Sequence, residues 1–469
     1  MTEHVRLPVV DERGKGSLRT DGSRVSIVPA DVKGRFATAR KVAFAVLIGV
    51  YAVMPFVRIH GHPALLLDIA HRQFFLFGQT FNAQDTWLVF FLLTGVGFTL
   101  VVAAAVIGRV WCGWACPQTV FLDGVFRRIE RWIEGPRNTH LRRDAGPMSF
   151  DKLWRKLLKH SIFLVLAVLL SHLLLAYFVT LPGVLTFVKG PPAEHLEAFI
   201  WTTAFTVILY LDFAWFREQL CLIICPYGRL QAVLSDTDTI TIGYDAKRGE
   251  PRGKASDKDA GACVDCGRCV VVCPSGIDIR NGQQLDCTGC TACVDACDEV
   301  MTQLSRPVGL VRHDSLNGLL GRAKRILRPR LYLYAALLVA GIVAASIAVA
   351  SHQPFEANML RLRGMPYLLA TSPAGVATIR NDLEIHLVNK QNDPRTFTLR
   401  PVSPAGVAMD YALRSRSITL PSLAEQRVPL FVTLPESAYR RHLLVQVDVT
   451  MEGEFPETQH AHAPFIGPH

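Results

Sequence analysis

Five long apolar stretches, at roughly Val42–Val57, Trp87–Ile107, Ile162–Thr180, Phe199–Phe216 and Leu331–Ala350, set the terms on which this chain can fold. Lipid offers no hydrogen-bond partner to the backbone, so a segment that crosses it alone must be a helix. A crossing takes about 20 residues, within a range of about 17 to 25. The second, third and fifth stretches meet that length. The first and fourth are marginal, Asp212 lies near the end of the fourth, and a buried soluble helix is the alternative for both. Half of the 469 residues are hydrophobic, too many for an ordinary soluble chain.

Orientation follows from the basic residues between the stretches. Lys and Arg number nine in residues 1–41, two in 58–86, eleven in 108–161, one in 181–198 and sixteen in 217–330. The alternation places the N-terminus, the 108–161 loop and the 217–330 segment on the cytoplasmic side. Five crossings then put the tail outside, where its own eleven basic residues are no objection, because long domains translocate largely regardless of charge. The net charge of +10 is mostly this bias, an attraction to anionic headgroups. Basic and aromatic residues do not interleave as a nucleic-acid platform requires, so no nucleic acid is expected. The polar first forty residues lack a signal-peptide pattern, so the first crossing is expected to remain as an anchor.

Eight of the twelve cysteines fall between Cys263 and Cys297, in two copies of C-x2-C-x2-C-x3-C. The copies use Cys263, Cys266, Cys269 and Cys273, then Cys287, Cys290, Cys293 and Cys297. This is the spacing of bacterial two-cluster ferredoxins, in which the fourth cysteine of each run serves the other cluster. One [4Fe-4S] cluster would then take Cys263, Cys266, Cys269 and Cys297, and the other Cys273, Cys287, Cys290 and Cys293. Zinc is the competing reading, but its sites favour separated pairs or mixed Cys and His ligands. Asp298 stands where the first run has Pro274, which touches the local turn and not ligation. All twelve cysteines precede residue 298, as expected of thiols kept reduced inside.

The remaining four form two pairs, Cys112 and Cys116, Cys221 and Cys225, each a C-x3-C-P motif after an inward-running stretch. Residues four apart share a helix face, and the proline suits the first turn of a new helix. The first four crossings therefore read as two parallel repeats. Facing one another, the four thiols would suit Cu(I), another thiophilic metal or a redox dithiol. Four buried structural cysteines are the alternative. Beyond Pro117, Thr119–Glu134 reads as an interfacial amphipathic helix.

The histidines His60, His62, His460, His462 and His469 could bind a metal but read more simply as bystanders. His172 and Asp212, inside crossings, are candidates for a proton or quinone path, or for a bonded imidazole and a carboxylate reaching for water. Along the chain, residues 1–40 form a polar tail and 41–243 a four-helix membrane domain. A charged linker follows at 244–261, then a ferredoxin domain at 262–304 whose fold depends on metal. Residues 305–330 are a basic juxtamembrane segment, 331–350 the fifth helix, and 354–469 an external β-sandwich. The sandwich rests on alternating runs such as Asp382–Val388 and Leu443–Thr450 between turn signals. The fold class is thus a multi-pass α-helical membrane protein with a cytoplasmic 2[4Fe-4S] ferredoxin domain and a C-terminal sandwich, for which an immunoglobulin-like topology is one candidate.

Taken together, the two C-x3-C-P motifs, the doubled ferredoxin run, the β tail and the segments Arg72–Phe81 and Tyr244–Arg252 resemble the CcoG/FixG/RdxA family of cytochrome oxidase accessory proteins. The resemblance covers the chain from about residue 35 onward. It implies a bacterial inner-membrane protein with its tail in the periplasm, acting in assembly of a cbb-type oxidase. It also implies an oxidoreductase that converts Cu(II) to Cu(I), with copper held near Cys112, Cys116, Cys221 and Cys225. The expected partners are membrane lipid, a cytoplasmic electron donor, copper chaperones or oxidase subunits, and a second copy of the chain. The alternative is a quinol-linked membrane ferredoxin serving a periplasmic redox partner.

Overall fold

The computed structural model describes residues 27–59, 61–70, 73–81, 86–257, 259–284, 286–350, 353–371, 375–404, 406–453 and 456–468. His60, Arg72 and His469 lie outside the described residues. Among the described residues, five helices are long and apolar enough to cross a membrane: Arg35–Phe56, Phe90–Ile107, Phe150–Leu175, Leu196–Phe216 and Pro329–Ile347. The two marginal stretches reach 22 and 21 residues once their polar ends are counted. The first begins inside the segment assigned to the polar tail. The third starts twelve residues before its apolar stretch, at a Ser149 side chain that accepts the Lys152 amide. Its added turns carry Lys152 and Lys159 into a buried ion-pair network.

The chain divides into two compact units, one of residues before Ala70 with Val89–Ala345, the other of Ala70–Leu88 with Ser346–His469. In the first, the third and fourth crossings pack together, with Ser171 Oγ donating to the Thr202 carbonyl at 2.8 Å and Tyr210 Oη 3.0 Å from His160 Nδ1. Phe126 stacks on Phe213 and meets Phe163 edge-on. That aromatic cluster seats the helical run Pro117–Glu134, which contains a π turn at Leu122–Phe126. Its polar face departs from a simple interfacial helix. Arg127, Glu130 and Glu134 are buried, whereas Trp132 is 91% exposed. Burial is tolerated because each charge has a partner: Arg127 pairs with Asp123 and Glu218, Glu130 with Arg217, and Glu134 with Lys159 and His140.

Neither the segment 244–261 nor the basic stretch 305–330 is a free connector. Thr241–Tyr244 pairs antiparallel with Val311–Asp314, and Asp245 caps the turn Ala246–Gly249. Ile242, Tyr244, Leu310 and Val311 thereby join Cys263, Cys269, Cys293, Val272, Ile279 and Met301 in one core. A domain confined to 262–304 would have lacked that apolar cover. In the basic stretch, Lys324 and Arg328 pair with Asp314 and Asp236, so part of the expected membrane collar fastens the domain.

The second unit is an antiparallel sandwich. One sheet runs Asp410–Leu413, Glu425–Pro435, Ala377–Asn389, Phe355–Arg361, with Leu368–Thr371 also paired to the third strand. The other runs Ser417–Leu420, Arg395–Val402, Leu444–Met451, Glu457–Pro464. Alternation along each strand turns Ile379, Leu383, Phe397, Leu430, Val445 and Val447 into the space between the sheets. The hairpin Gln73–Leu76 with Gln79–Phe81, which sequence reading gave to the membrane domain, belongs to this unit, and Thr80 donates to Asn392 at 2.8 Å. Part of the 58–86 loop and the tail, two of the three segments that charge counting placed outside, therefore fold together.

Candidate electron-transfer centre

Each cysteine run forms a loop with the same backbone. The third and fifth positions adopt left-handed conformations in both copies: Asp265 and Gly267 at φ 49° and 64°, Gly289 and Thr291 at 70° and 65°. Such alternation of left- and right-handed residues points successive N–H groups inward, and the Gly289 amide lies 3.5 Å from Cys287 Sγ. The helix Arg268–Val271 then carries Cys269, with Cys273 just beyond its end, and Ala292–Gln303 carries both Cys293 and Cys297.

Two cavities lie between the runs, each lined by cysteines of both. Cys263, Cys266, Cys269 and Cys297 line one cavity with Tyr244, Arg280, Met301 and Val311. Cys273, Cys287, Cys290 and Cys293 line a second with Ile242, Ile277 and Ile279, and Cys269 borders both. Burial pushes the thiols of Cys269 and Cys287 up to about 11 and those of Cys273 and Cys297 up to about 12, and neighbouring sulfurs push the same way. Sulfur so crowded is stabilised as thiolate only by a cation that takes the charge. Tetrahedral zinc, with Zn–S of about 2.3 Å, would need sulfurs roughly 3.8 Å apart. Among the described residues no three cysteine sulfurs lie within 4.8 Å of one another. An all-thiolate set spread around a cavity fits a larger iron–sulfur core.

The other four cysteines sit where the second and fourth crossings end. Proline disfavours helical backbone in the residue before it. Cys116 and Cys225 accordingly leave their helices extended, at φ/ψ −60°/126° and −61°/112°, each donating its amide five residues back, to Trp111 and Leu220. This shared exit is the local signature of the repeat. Cys112 and Cys221 are pushed up to about 12, by burial first, and charge on the other cysteines of the two pairs would raise Cys221 further. The repeats also trade partners: Cys112 Sγ faces Gln231 Oε1 at 3.6 Å, and Arg109 donates to the Gly228 carbonyl.

The first pair lies directly against the second cysteine run. A Cβ at Gly113, between Cys112 and Cys116, would come within 2.9 Å of the Cys290 backbone and 2.7 Å of the Thr288 carbonyl. At Gly289 it would lie 3.0 Å from the Arg109 carbonyl. Two glycines thus let two backbones meet. The same side is clamped from the N-terminus: Asp295, inside the second run, accepts the Phe36 and Ala37 amides at 3.3 and 2.6 Å and so caps the first crossing. Ala30 adds a backbone bond to Val271, and Arg127 one to the Pro274 carbonyl.

Sequence reading missed Asp295, Gln231, Gly113 and the buried network, for which no motif exists. Within that network Glu130, Glu134 and His140 bring ligand atoms within 4.8 Å of one another, yet Lys159 and Arg217 already neutralise the carboxylates. His172 is bonded at Nδ1 to the Val168 carbonyl of its own helix, not to a bundle partner. Asp212 opens the π turn Asp212–Phe216 near Cys221, with Oδ1 buried and unbonded. His62 lies in the two-residue strand His62–Pro63, paired with Arg58–Ile59.

Comparison with known proteins matches three family models. Residues 216–316 match a "4Fe-4S dicluster domain", 88–136 a "4Fe-4S binding domain", and 345–468 an "IG-like fold at C-terminal of FixG, putative oxidoreductase". Protein RdxA of Cereibacter sphaeroides is 36% identical, covering 88% of this chain and 90% of RdxA. Nitrogen fixation protein FixG of Rhizobium meliloti is 31% identical, over 93% and 89%. Protein RdxB of C. sphaeroides is 34% identical, over 82% and 84%.

Proposed function

The chain belongs to the CcoG/FixG/RdxA family of membrane-associated iron–sulfur electron-transfer proteins, and we propose that within it this protein reduces Cu(II) to Cu(I) for assembly of a cbb-type oxidase. Cys263, Cys266, Cys269 and Cys297 would hold one [4Fe-4S] cluster, and Cys273, Cys287, Cys290 and Cys293 the other. When bound, such clusters supply electrons singly, which matches the one electron that each Cu(II) takes up. Cys112, Cys116, Cys221 and Cys225 receive copper as substrate, and their soft sulfur favours the Cu(I) product.

The observation that carries this reading is the backbone contact of Gly113 with Cys290. It brings the Cys112–Cys116 segment beside the second cavity with no side chain between their backbones, which supports a short path from cluster to copper. Asp295 and Arg127 hold that contact by fastening the cluster domain to the first crossing and to the 117–134 helix. The charge alternation supports clusters in the cytoplasm and the sandwich in the periplasm, where copper chaperones or oxidase subunits would dock.

The test is reoxidation of anaerobically reduced protein by Cu(II), followed by the recovery of the visible iron–sulfur absorbance that reduction had bleached. Changing Cys112, Cys116, Cys221 and Cys225 to Ser is expected to slow it at least tenfold with iron content unchanged. Equal rates would remove those thiols from the mechanism. Rapid reduction by a quinol analogue without copper would favour the quinol-linked alternative.

A further inference from the structure

The sandwich carries a pair of histidines whose protons are already committed elsewhere. His460 and His462 lie on Glu457–Pro464, a strand at the edge of its sheet, paired with Leu444–Met451. Alternation buries Ala461 and Ala463 and turns both histidines outward. The register sets Asp448 opposite His460 and Gln446 opposite His462. His460 Nδ1 is 2.6 Å from Asp448 Oδ1, a carboxylate that Gln446 Nε2 also supports at 2.9 Å. His462 Nδ1 is 3.3 Å from the His460 carbonyl oxygen. Gln446 Nε2 also lies 3.4 Å from His460 Nδ1, but it donates at shorter range to Asp448, and the carboxylate is the nearer neighbour of that ring nitrogen. A carboxylate and a carbonyl only accept, so both neutral rings place their proton on Nδ1 and a lone pair on Nε2. Neither Nε2 has a hydrogen-bond partner among the described residues.

This is the arrangement in which metal-ligating histidines are held, the distal nitrogen bonded to a carboxylate or backbone carbonyl. Residues two apart on a strand are separated by roughly 6.6 Å along it. Two imidazoles on one face can close that span around one ion at bond lengths of about 2.0–2.1 Å. We propose that His460 and His462 form a divalent transition-metal site through Nε2, with Asp448 and the His460 carbonyl as positioning groups. Imidazole ligands and the general affinity order favour Cu(II) over other first-row ions. Two protein nitrogens with water completing the shell make a site that exchanges its ion. It shares no residue with the thiol site and stands independently of copper reduction there.

The experiment is Cu(II) titration of the full chain in detergent, followed by EPR, with Cys112, Cys116, Cys221 and Cys225 changed to Ser so that bound copper stays oxidised. The expected result is one Cu(II) per chain with hyperfine coupling to two nitrogens, absent in His460→Ala and in His462→Ala. Asp448→Ala is expected to weaken binding roughly 10- to 100-fold, as loss of an orienting group does. Should the serine background not fold, Zn(II) stoichiometry of the otherwise unaltered chain is expected to fall by one in His460→Ala. Copper or zinc binding unchanged in both histidine variants overturns the site; unchanged affinity in Asp448→Ala overturns the positioning role.

Discussion

The two cysteine-lined cavities are near copies in spacing and backbone, yet their surroundings differ. The first opens outward: Cys266 is exposed, and Gly267, beside it, has open space around it. The second faces inward, with Cys290 and Cys293 buried and Cys290 pressed against Gly113 of the membrane domain. A duplicated motif has thus acquired a solvent-facing copy and a docked copy. Cluster potential depends on exposure and on hydrogen bonds to sulfur, so identical ligand spacing does not make the two sites interchangeable.

The comparison breaks most sharply at the ligands. Cys290→Ser is expected to lose about half the iron and to abolish reoxidation by Cu(II), while Cys266→Ser loses similar iron but leaves a residual rate; iron analysis and stopped-flow absorbance check both. Equal losses would make the docked copy no more important than the outward one. Next comes the buried network beneath the docking helix. Burial alone would raise the Glu134 carboxyl, but hydrogen bonds from His140 and Lys159 hold it at about 2. The ordinary unfolded value is about 4.3. Its stabilisation is therefore complete above that value and lost as the pH falls from about 4.3 toward 2. Glu134→Gln is expected to cost about 3 kcal/mol at neutral pH, as breaking a buried pair does. Thermal melts of parent and variant should converge as the pH is lowered through this window and run parallel between pH 6 and 8.

Gly113→Ala, which forces a methyl group into the Cys290 backbone, is expected to slow Cu(II)-driven reoxidation about tenfold, taking each 1.4 kcal/mol on the barrier as a factor of ten. Its counterpart Gly267→Ala meets no atom and should cost only about 1 kcal/mol of left-handed backbone strain, with the rate unchanged. Asp295→Ala removes a helix cap, worth about 1 kcal/mol, and should raise proteolytic cleavage between residues 27 and 35. A rate effect in Gly267→Ala equal to that in Gly113→Ala would erase the distinction between the copies.

Much of this was legible in residue order because its causes are local. A run of apolar side chains long enough for lipid needs no partner to declare itself a helix. Cysteines at every third position bring sulfurs to one loop whatever surrounds it, and the alternation of Asp382–Val388 already states which face is buried. The misreadings came where a segment's role depends on distant chain. Residues 244–261 look like a charged linker until Thr241–Tyr244 meets Val311–Asp314. The Thr119–Glu134 helix looks interfacial until Arg217 and Lys159, far along the chain, pair with its acids.

By itself the sequence determined the five crossings, their alternation of charge, the crossed grouping expected of the eight cysteines and the β character of the tail. Each follows from periodicity, spacing or composition within a short window. Only the tertiary structure decided that Asp295 caps the first crossing, that Gly113 lets the membrane thiols meet the second cysteine run, and that the imidazoles of His460 and His462 present free Nε2 atoms. Those are contacts between residues up to about 260 positions apart, or proton positions set by a carboxylate on the neighbouring strand and a carbonyl on the same one. Nothing in a linear pattern encodes which two backbones will pass so closely that a Cβ could not fit between them.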